Sequence, residues 1–181
     1  MKRPVLWSTA AALTVVVAFA IFLSTRDPAE GQLTPSRLVG QQAPAISSTT
    51  VGGESFNLAS LRGGWVVLNF FASWCPPCKQ EAPELVAFDW TQRQQANGAK
   101  VVSVIFNDSN SAAAQFHEFY GARWPLVTDP GGNTAASYGV IAPPETFIIS
   151  PKGKVVDALP GGVTKLELLA KLAQAKTSGR G

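Results

Sequence analysis

Cysteine and histidine are almost missing from this chain of 181 residues: Cys75 and Cys78 are the only cysteines and His117 the only histidine. A four-cysteine zinc site, a multi-disulfide scaffold and a poly-histidine metal site therefore lose support, and a Ser-His-Asp hydrolase survives only if His117 can reach a nucleophile. Surplus charge is missing as well. From Leu38 to Lys176 basic and acidic residues number 10 each, so the net +3 sits in the flanks, on Lys2, Arg3, Arg26, Arg37 and Arg180 against Asp27 and Glu30. The basic balance thus gives no reason to expect a nucleic-acid partner. No internal repeat occurs, and no low-complexity tract except the short Ser-Gly-Arg-Gly tail. Beyond residue 37 there remain 144 residues, enough for one ordinary domain and too few for a second enzymatic one. Almost any chemistry must come from the single cysteine pair.

Charge is absent again from Pro4 to Thr25, directly after Lys2 and Arg3. As a helix, Val5 to Leu23 would be about 28 Å long, close to the hydrocarbon thickness of a bilayer. The competing reading is a cleaved signal peptide, for which Ala18-Phe19-Ala20 offers small residues; Ile21, Phe22 and Leu23, however, continue the apolar run where a signal peptide turns polar. An uncleaved anchor, inserted through residues 5–23, is the expectation. Lys2 and Arg3 put the N-terminus on the cytoplasmic side and the rest of the chain outside, on the periplasmic side, although Arg26 and Arg37 weaken the asymmetry. No cysteine follows the run, so nothing resembles a lipoprotein signal. The expected organisation is a cytoplasmic tip and signal-anchor over 1–25, a Pro- and Gly-containing linker over 26–37, a folded domain over 38–176 and a tail over 177–181.

Within the domain, Ala45–Thr50 and Ser55–Leu58 flank Val51-Gly52-Gly53-Glu54, which reads as a hairpin. Trp65–Phe71 is a continuous apolar run and predicts a central strand covered on both faces. A helix is expected from Pro76 to about Asn97, kinked by Pro83, with Leu85, Val86, Phe88 and Asp89-Trp90 around its core stripe. Val101–Phe106 reads as a strand, Ser111–Tyr120 as a helix and Leu126–Thr128 as a brief strand. Thr146–Ile149 and Lys154–Ala158 form a hairpin around Pro151-Lys152-Gly153. Thr164–Lys176 closes the domain as a helix with Leu166, Leu169, Ala170 and Leu172 inward. The alternation of strand, helix and strand argues for a parallel α/β core.

Trp74-Cys75-Pro76-Pro77-Cys78 lies where a buried strand hands over to a helix. Unpaired N–H groups and the macrodipole of a helix start favour an anion, so the Cys75 thiolate is expected to be exposed, acidified below the free value of about 8.5, and nucleophilic. Cys78, three residues on and on the same face, would be the resolving sulfur. A purely stabilising disulfide is the bland alternative, but a loop of four residues gains only about 2 kcal/mol of chain entropy against nearly 5 for a loop of 100. A metal site has few ligands to draw on, a copper or zinc ion having only the two thiolates, His117 and a carboxylate, and haem attachment would need histidine where Lys79 stands. No metal and no other cofactor is expected.

The segment Asn69-Phe70-Phe71-Ala72-Ser73-Trp74-Cys75-Pro76-Pro77-Cys78 resembles the thioredoxin superfamily. Gly139 to Ile149, containing Ala142-Pro143-Pro144-Glu145-Thr146-Phe147, resembles the signature of the extracytoplasmic, membrane-tethered thiol:disulfide reductases of cytochrome c maturation, the CcmG/DsbE type with ResA and TlpA. The similarity runs from about Val39 to Leu172. It implies an α/β thioredoxin-like fold, a central mixed sheet flanked by helices, with an N-terminal β-hairpin and a central insertion. It also implies a site in which Cys75 and Cys78 carry the redox step and Pro144 is a cis-proline facing them. Glu81 would exchange a proton with the Cys78 thiol, and Glu145 matches a second acidic residue of the family. Asp108 and His117 fall in the insertion, where His117 reads as an ordinary surface-helix residue. Asn69 stands where thioredoxin has a buried aspartate, which removes that relay and increases reliance on Glu81 and Glu145. The uncharged Pro76-Pro77 dipeptide offers the Cys75 thiolate no N–H, which leans away from a strongly oxidising poise. The implied function is reduction of the disulfide of an apocytochrome c or another exported protein, with re-reduction by a transmembrane electron donor. The alternatives are an oxidase or isomerase of secreted proteins using the same pair, and an extracytoplasmic metal-binding chaperone without turnover.

Overall fold

Residues 15–19 and 36–178 are described by the computed structural model, and the chain divides into two units, 1–34 and 35–181. Of the first unit only 15–19 are described, as exposed helix; the rest of the expected span over 5–23 lies outside the described residues. Among the described residues no helix is long and apolar enough to cross a membrane.

The second unit is built around β3 (Val66–Phe71), six consecutive buried residues of which only Asn69 is polar. With β4 (Lys100–Ile105), β5 (Leu126–Val127), β6 (Glu145–Ile149) and β7 (Val155–Pro160) it forms a five-stranded sheet of order β5-β4-β3-β6-β7. β3, β4 and β5 run parallel, whereas β6 and β7 are antiparallel, so the sheet is mixed. Side chains alternate between the faces. Val66, Leu68 and Phe70 meet Val102, Val104, Phe147 and Ile149 on one face; Val67, Val101 and Ile148 meet helices on the other.

Those helices are α1 (Pro76–Arg93) and the closing helix α4 (Lys165–Thr177), while α2 (Asn110–Tyr120) and α3 (Asn133–Tyr138) lie between β4 and β6. The expected hairpin is present, as β1 (Ser47–Thr49) paired antiparallel with β2 (Ser55–Asn57). Ser109 caps α2 and Thr164 caps α4, each accepting the backbone N–H three residues on, at 3.1 and 3.2 Å; each cap is worth about 1 kcal/mol.

Several expectations need correction. α1 stays continuous through Pro83 but stops at Arg93, four residues before Asn97. The turn that follows folds back so closely that any Cβ at Gly98 would collide with the Gln92 carbonyl, and the buried Gln92 side chain accepts the Ala99 N–H at 2.9 Å. Trp90 is exposed, and the inward stripe of α1 runs through Cys78, Glu81, Ala82, Leu85, Phe88, Asp89 and Gln92. In α4 the buried residues are Leu168, Leu172 and Ala175, whereas Leu166 and Ala170 face outward and Leu169 is half-buried. α3 has no counterpart in the sequence reading. It is held by Asp129, whose carboxylate accepts the N–H groups of Thr134 and Ala135 at 2.9 and 2.8 Å, and by the buried Tyr138 ring against Phe70 and Phe147.

Candidate active site

β3 ends at Phe71, and the chain turns through Ala72-Ser73-Trp74 into α1. Pro76 and Pro77 occupy the first two helical positions, where an N–H would lack an intrahelical partner anyway. Cys75 is the N-cap: its sulfur accepts the Cys78 N–H at 3.2 Å. The two cysteines form a disulfide with Cα atoms 5.3 Å apart. Cys75 is only 2% exposed and Cys78 1%, so the expected exposure of Cys75 is not found in this oxidised form. The turn is braced from the β4–α2 loop. Asp108 accepts the Ser73 N–H at 2.7 Å with one carboxylate oxygen and the Ser109 N–H with the other, and the Trp74 indole donates to the Asn107 carbonyl at 3.1 Å.

Facing the pair is the loop before β6. The Pro143–Pro144 bond is cis, and the Pro143 carbonyl oxygen lies 3.5 Å from the Cys75 sulfur. Glu81 is one helical turn past Cys78 and 2% exposed. Its Oε2 accepts from Asn69 Nδ2 at 3.0 Å and its Oε1 from the Val163 N–H at 3.2 Å, and the same Asn69 amide donates to Thr146 Oγ1. Burial is the larger influence on this carboxyl and these donors oppose it, leaving it raised from 4.5 to about 7. Asn69 therefore does more than remove a relay; its amide holds Glu81.

A cavity of ≈ 10 Å³ for water centres, room for about one water, lies behind Cys78. Asn69, Glu81, Ser103, His117 and Trp124 contribute to its wall. His117 is thus not on the surface: its ring stacks on Phe71 at 5.2 Å, meets the edge of Trp124 at 5.5 Å, and is pushed down to about 4 by burial. Glu145 is placed apart from Glu81. It stands opposite Phe70 in the β3–β6 register, whereas Asn69 and Thr146 are the neighbouring pair, so alternation sends Glu145 to the other face of the sheet. It is half-buried, and burial raises its carboxyl above the ordinary value. Among the described residues no group of three or more His, Cys, Asp and Glu could hold a metal ion.

Sequence reasoning missed Thr146, Val163 and the bracing role of Asp108. Asp108 carried a local signal, since an Asp before a Ser cap commonly binds nearby N–H groups. Thr146 and Val163 carried none, being 65 and 82 residues from Glu81.

A helix-start disulfide facing a cis-proline, on this sheet, defines a thioredoxin-like thiol:disulfide oxidoreductase. Residues 39–158 match the AhpC/TSA family. The thioredoxin-like protein YneN of Bacillus subtilis is 38% identical over 136 residues, covering 74% of this chain and 78% of that protein. The thiol-disulfide oxidoreductase ResA of the same species is 33% identical over 126 residues, covering 70% and 69%. The crystal structure of a secreted Mycobacterium tuberculosis disulfide oxidoreductase homologous to E. coli DsbE is similar with a TM-score of 0.63 and 26% identity, over 71% of this chain and 94% of that one. The chain belongs to the AhpC/TSA family, and within it to the thiol:disulfide oxidoreductases of ResA and DsbE type.

Proposed function

We propose that this oxidoreductase works as a reductant of disulfides in exported proteins, an apocytochrome c before haem attachment among them. Its N-terminal segment holds it in the membrane with residues 38–176 outside the cytoplasm. In the dithiol state the Cys75 thiolate attacks one sulfur of the target disulfide, a mixed disulfide forms, and the other target sulfur leaves as a thiolate. Cys78 loses its proton and attacks the Cys75 sulfur, which releases the second target thiolate. Two electrons have then passed to the target, and the protein is left with the Cys75–Cys78 disulfide. A transmembrane electron donor returns it to the dithiol.

In this reading Pro144 presents the target strand beside Cys75, and Glu81 accepts the Cys78 proton. Glu145 is a secondary acid on the far face of the sheet. The observation that carries the reading is the buried Glu81 carboxyl, one helical turn past Cys78 on the wall of the same cavity and held by Asn69 and Val163, since resolution of the mixed disulfide needs a base there. The reducing direction is favoured by the donor count at Cys75. Pro76 and Pro77 have no N–H, and the Lys79 N–H goes to the Cys75 carbonyl, so of the first four helical residues only Cys78 donates to the sulfur. A less stabilised thiolate gives a less oxidising couple.

Equilibration of the couple with glutathione tests the direction. A potential near or below about −230 mV is expected, and one near about −120 mV would make the protein an oxidant instead. Reduction of a disulfide-bearing Cys-X-X-Cys-His peptide, compared with insulin, tests the substrate. Membrane fractionation of the full chain tests the anchor, with a soluble product starting near Ile21 as the contrary result.

A further inference from the structure

Glu81 is held where β3, β6 and the segment before α4 come together. Asn69 on β3 and Thr146 on β6 are register partners, and Asn69 Nδ2 donates to both Glu81 Oε2 and Thr146 Oγ1, each at 3.0 Å. Thr146 thereby fixes the Asn69 amide that donates to the Glu81 carboxylate. The third element is the strap between β7 and α4. The Gly161 N–H donates to the Pro144 carbonyl at 2.9 Å, the buried Val163 donates to Glu81 Oε1 at 3.2 Å, and the Lys165 N–H is held by Glu84 of α1 at 2.8 Å. The strap also lies against the first turn of α1, since a Cβ on Gly162 would sit 3.6 Å from the Pro77 carbonyl. One short segment therefore ties the cis-proline loop to the acid, and Thr146, two residues past Pro144, does so a second time.

We propose that Thr146 and the Gly161–Val163 strap are positioning elements of the resolving step: between them they orient the Glu81 carboxylate toward Cys78 and couple it to the loop on which substrate docks. This rests on the reading of Glu81 as the base for Cys78. The strap donates to the carboxylate directly and Thr146 holds the Asn69 amide that does so, and both favour its charged form. Other titratable groups facing Glu81 from the surrounding elements are Cys78 on α1 and, across the small cavity, His117 and Tyr120 on α2.

The test follows resolution of a preformed mixed disulfide between Cys75 and a model thiol, by rapid quench and mass analysis across pH 5 to 9. Wild type, Thr146→Val, Thr146→Ser and Glu81→Gln are compared. Thr146→Val keeps the shape and removes the hydroxyl. Its pH midpoint for resolution is expected to rise by about one unit, with attack by Cys75 unchanged, because the Asn69 amide loses the acceptor that aims it at the charged carboxylate. Thr146→Ser is expected to restore the wild-type midpoint. Thr146→Ala is held to the same outcomes as Thr146→Val should the latter fail to fold. Equal midpoints in wild type and all three Thr146 variants would overturn the positioning role, as would a shift shared by the serine variant. If the wild-type midpoint persists in Glu81→Gln, the base assignment falls and the positioning role with it. If Glu81→Gln abolishes the midpoint while the Thr146 variants leave it in place, only the positioning role falls.

Discussion

Replacing Glu81 by glutamine is expected to change how the oxidised protein's stability depends on pH. The carboxyl is raised from 4.5 to about 7 by burial, so the folded state holds this proton more firmly than the unfolded chain does. Its contribution is fully present below pH 4.5 and is lost as pH rises through 7, which at about 1.4 kcal/mol per pH unit amounts to about 3 kcal/mol. His117 acts in the opposite sense. Its imidazole is lowered from 6.5 to about 4, so its contribution is present above pH 6.5 and is lost as pH falls through 4, again by about 3 kcal/mol. In the wild type the two slopes nearly cancel between pH 4.5 and 6.5. Of these two, only the His117 slope remains in Glu81→Gln, and its stability relative to the wild type is expected to climb by about 3 kcal/mol from pH 4.5 to 7. Glutamine also brings a pH-independent cost. Its single oxygen can accept from Asn69 or Val163 but not from both, and its amide then confronts the other donor, at about 1–3 kcal/mol. The absolute offset is therefore a poor readout and the slope a good one. Urea unfolding followed by tryptophan fluorescence, with the disulfide intact and pH stepped from 4 to 8, measures it. A difference between the two proteins that stays constant within about 0.5 kcal/mol over that range would show that Glu81 does not titrate as a buried carboxyl.

Other outcomes are expected from the same geometry. In stopped-flow assays Glu81→Gln slows resolution toward the lower end of the roughly 10²–10⁴-fold range for lost acid–base catalysis, and mixed disulfide accumulates; Glu145→Gln, on the other face of the sheet, changes it by less than about threefold, and a defect confined to Glu145→Gln would move the role there. In the reduced protein at mildly acidic pH, iodoacetamide labels Cys75 before Cys78, because Cys75 caps the helix beside the Pro143 carbonyl whereas Cys78 backs onto the small cavity; peptide mapping showing Cys78 labelled first would reverse the nucleophile assignment. Asp108→Ala frees the Ser73 and Ser109 N–H groups and is expected to lower stability by about 1–2 kcal/mol in chemical denaturation, with no loss pointing to water as an equal partner.

What could be read along the chain is what depends on neighbours in sequence. The run Val66–Phe71 is a buried strand in any context that offers a core, Pro76-Pro77 preset the start of α1, and Cys75 and Cys78 three apart on one helical turn can close a disulfide. Ser109 and Thr164 cap their helices by contacts within three residues, and Glu81 shares the face of Cys78 by helical spacing alone. Tertiary structure decided the rest. α4 carries leucine at 166, 168, 169 and 172, which permits more than one inward stripe, and only docking against α1 and β7 selects Leu168 and Leu172. His117 sits beside Phe116 and Tyr120 on a short helix whose burial depends on how α2 meets Phe71 and Trp124. α3 is six residues with no apolar period, stabilised by Asp129 and by Tyr138 reaching the Pro44 carbonyl 94 residues away. Glu81 shows the division most clearly. Its position on the helix is local, but its burial and its partners Asn69 and Val163 arise from the packing of α1 on β3 and from the strap crossing α1; that burial, more than the spacing, raises its carboxyl toward neutrality, and the partners hold part of the rise back.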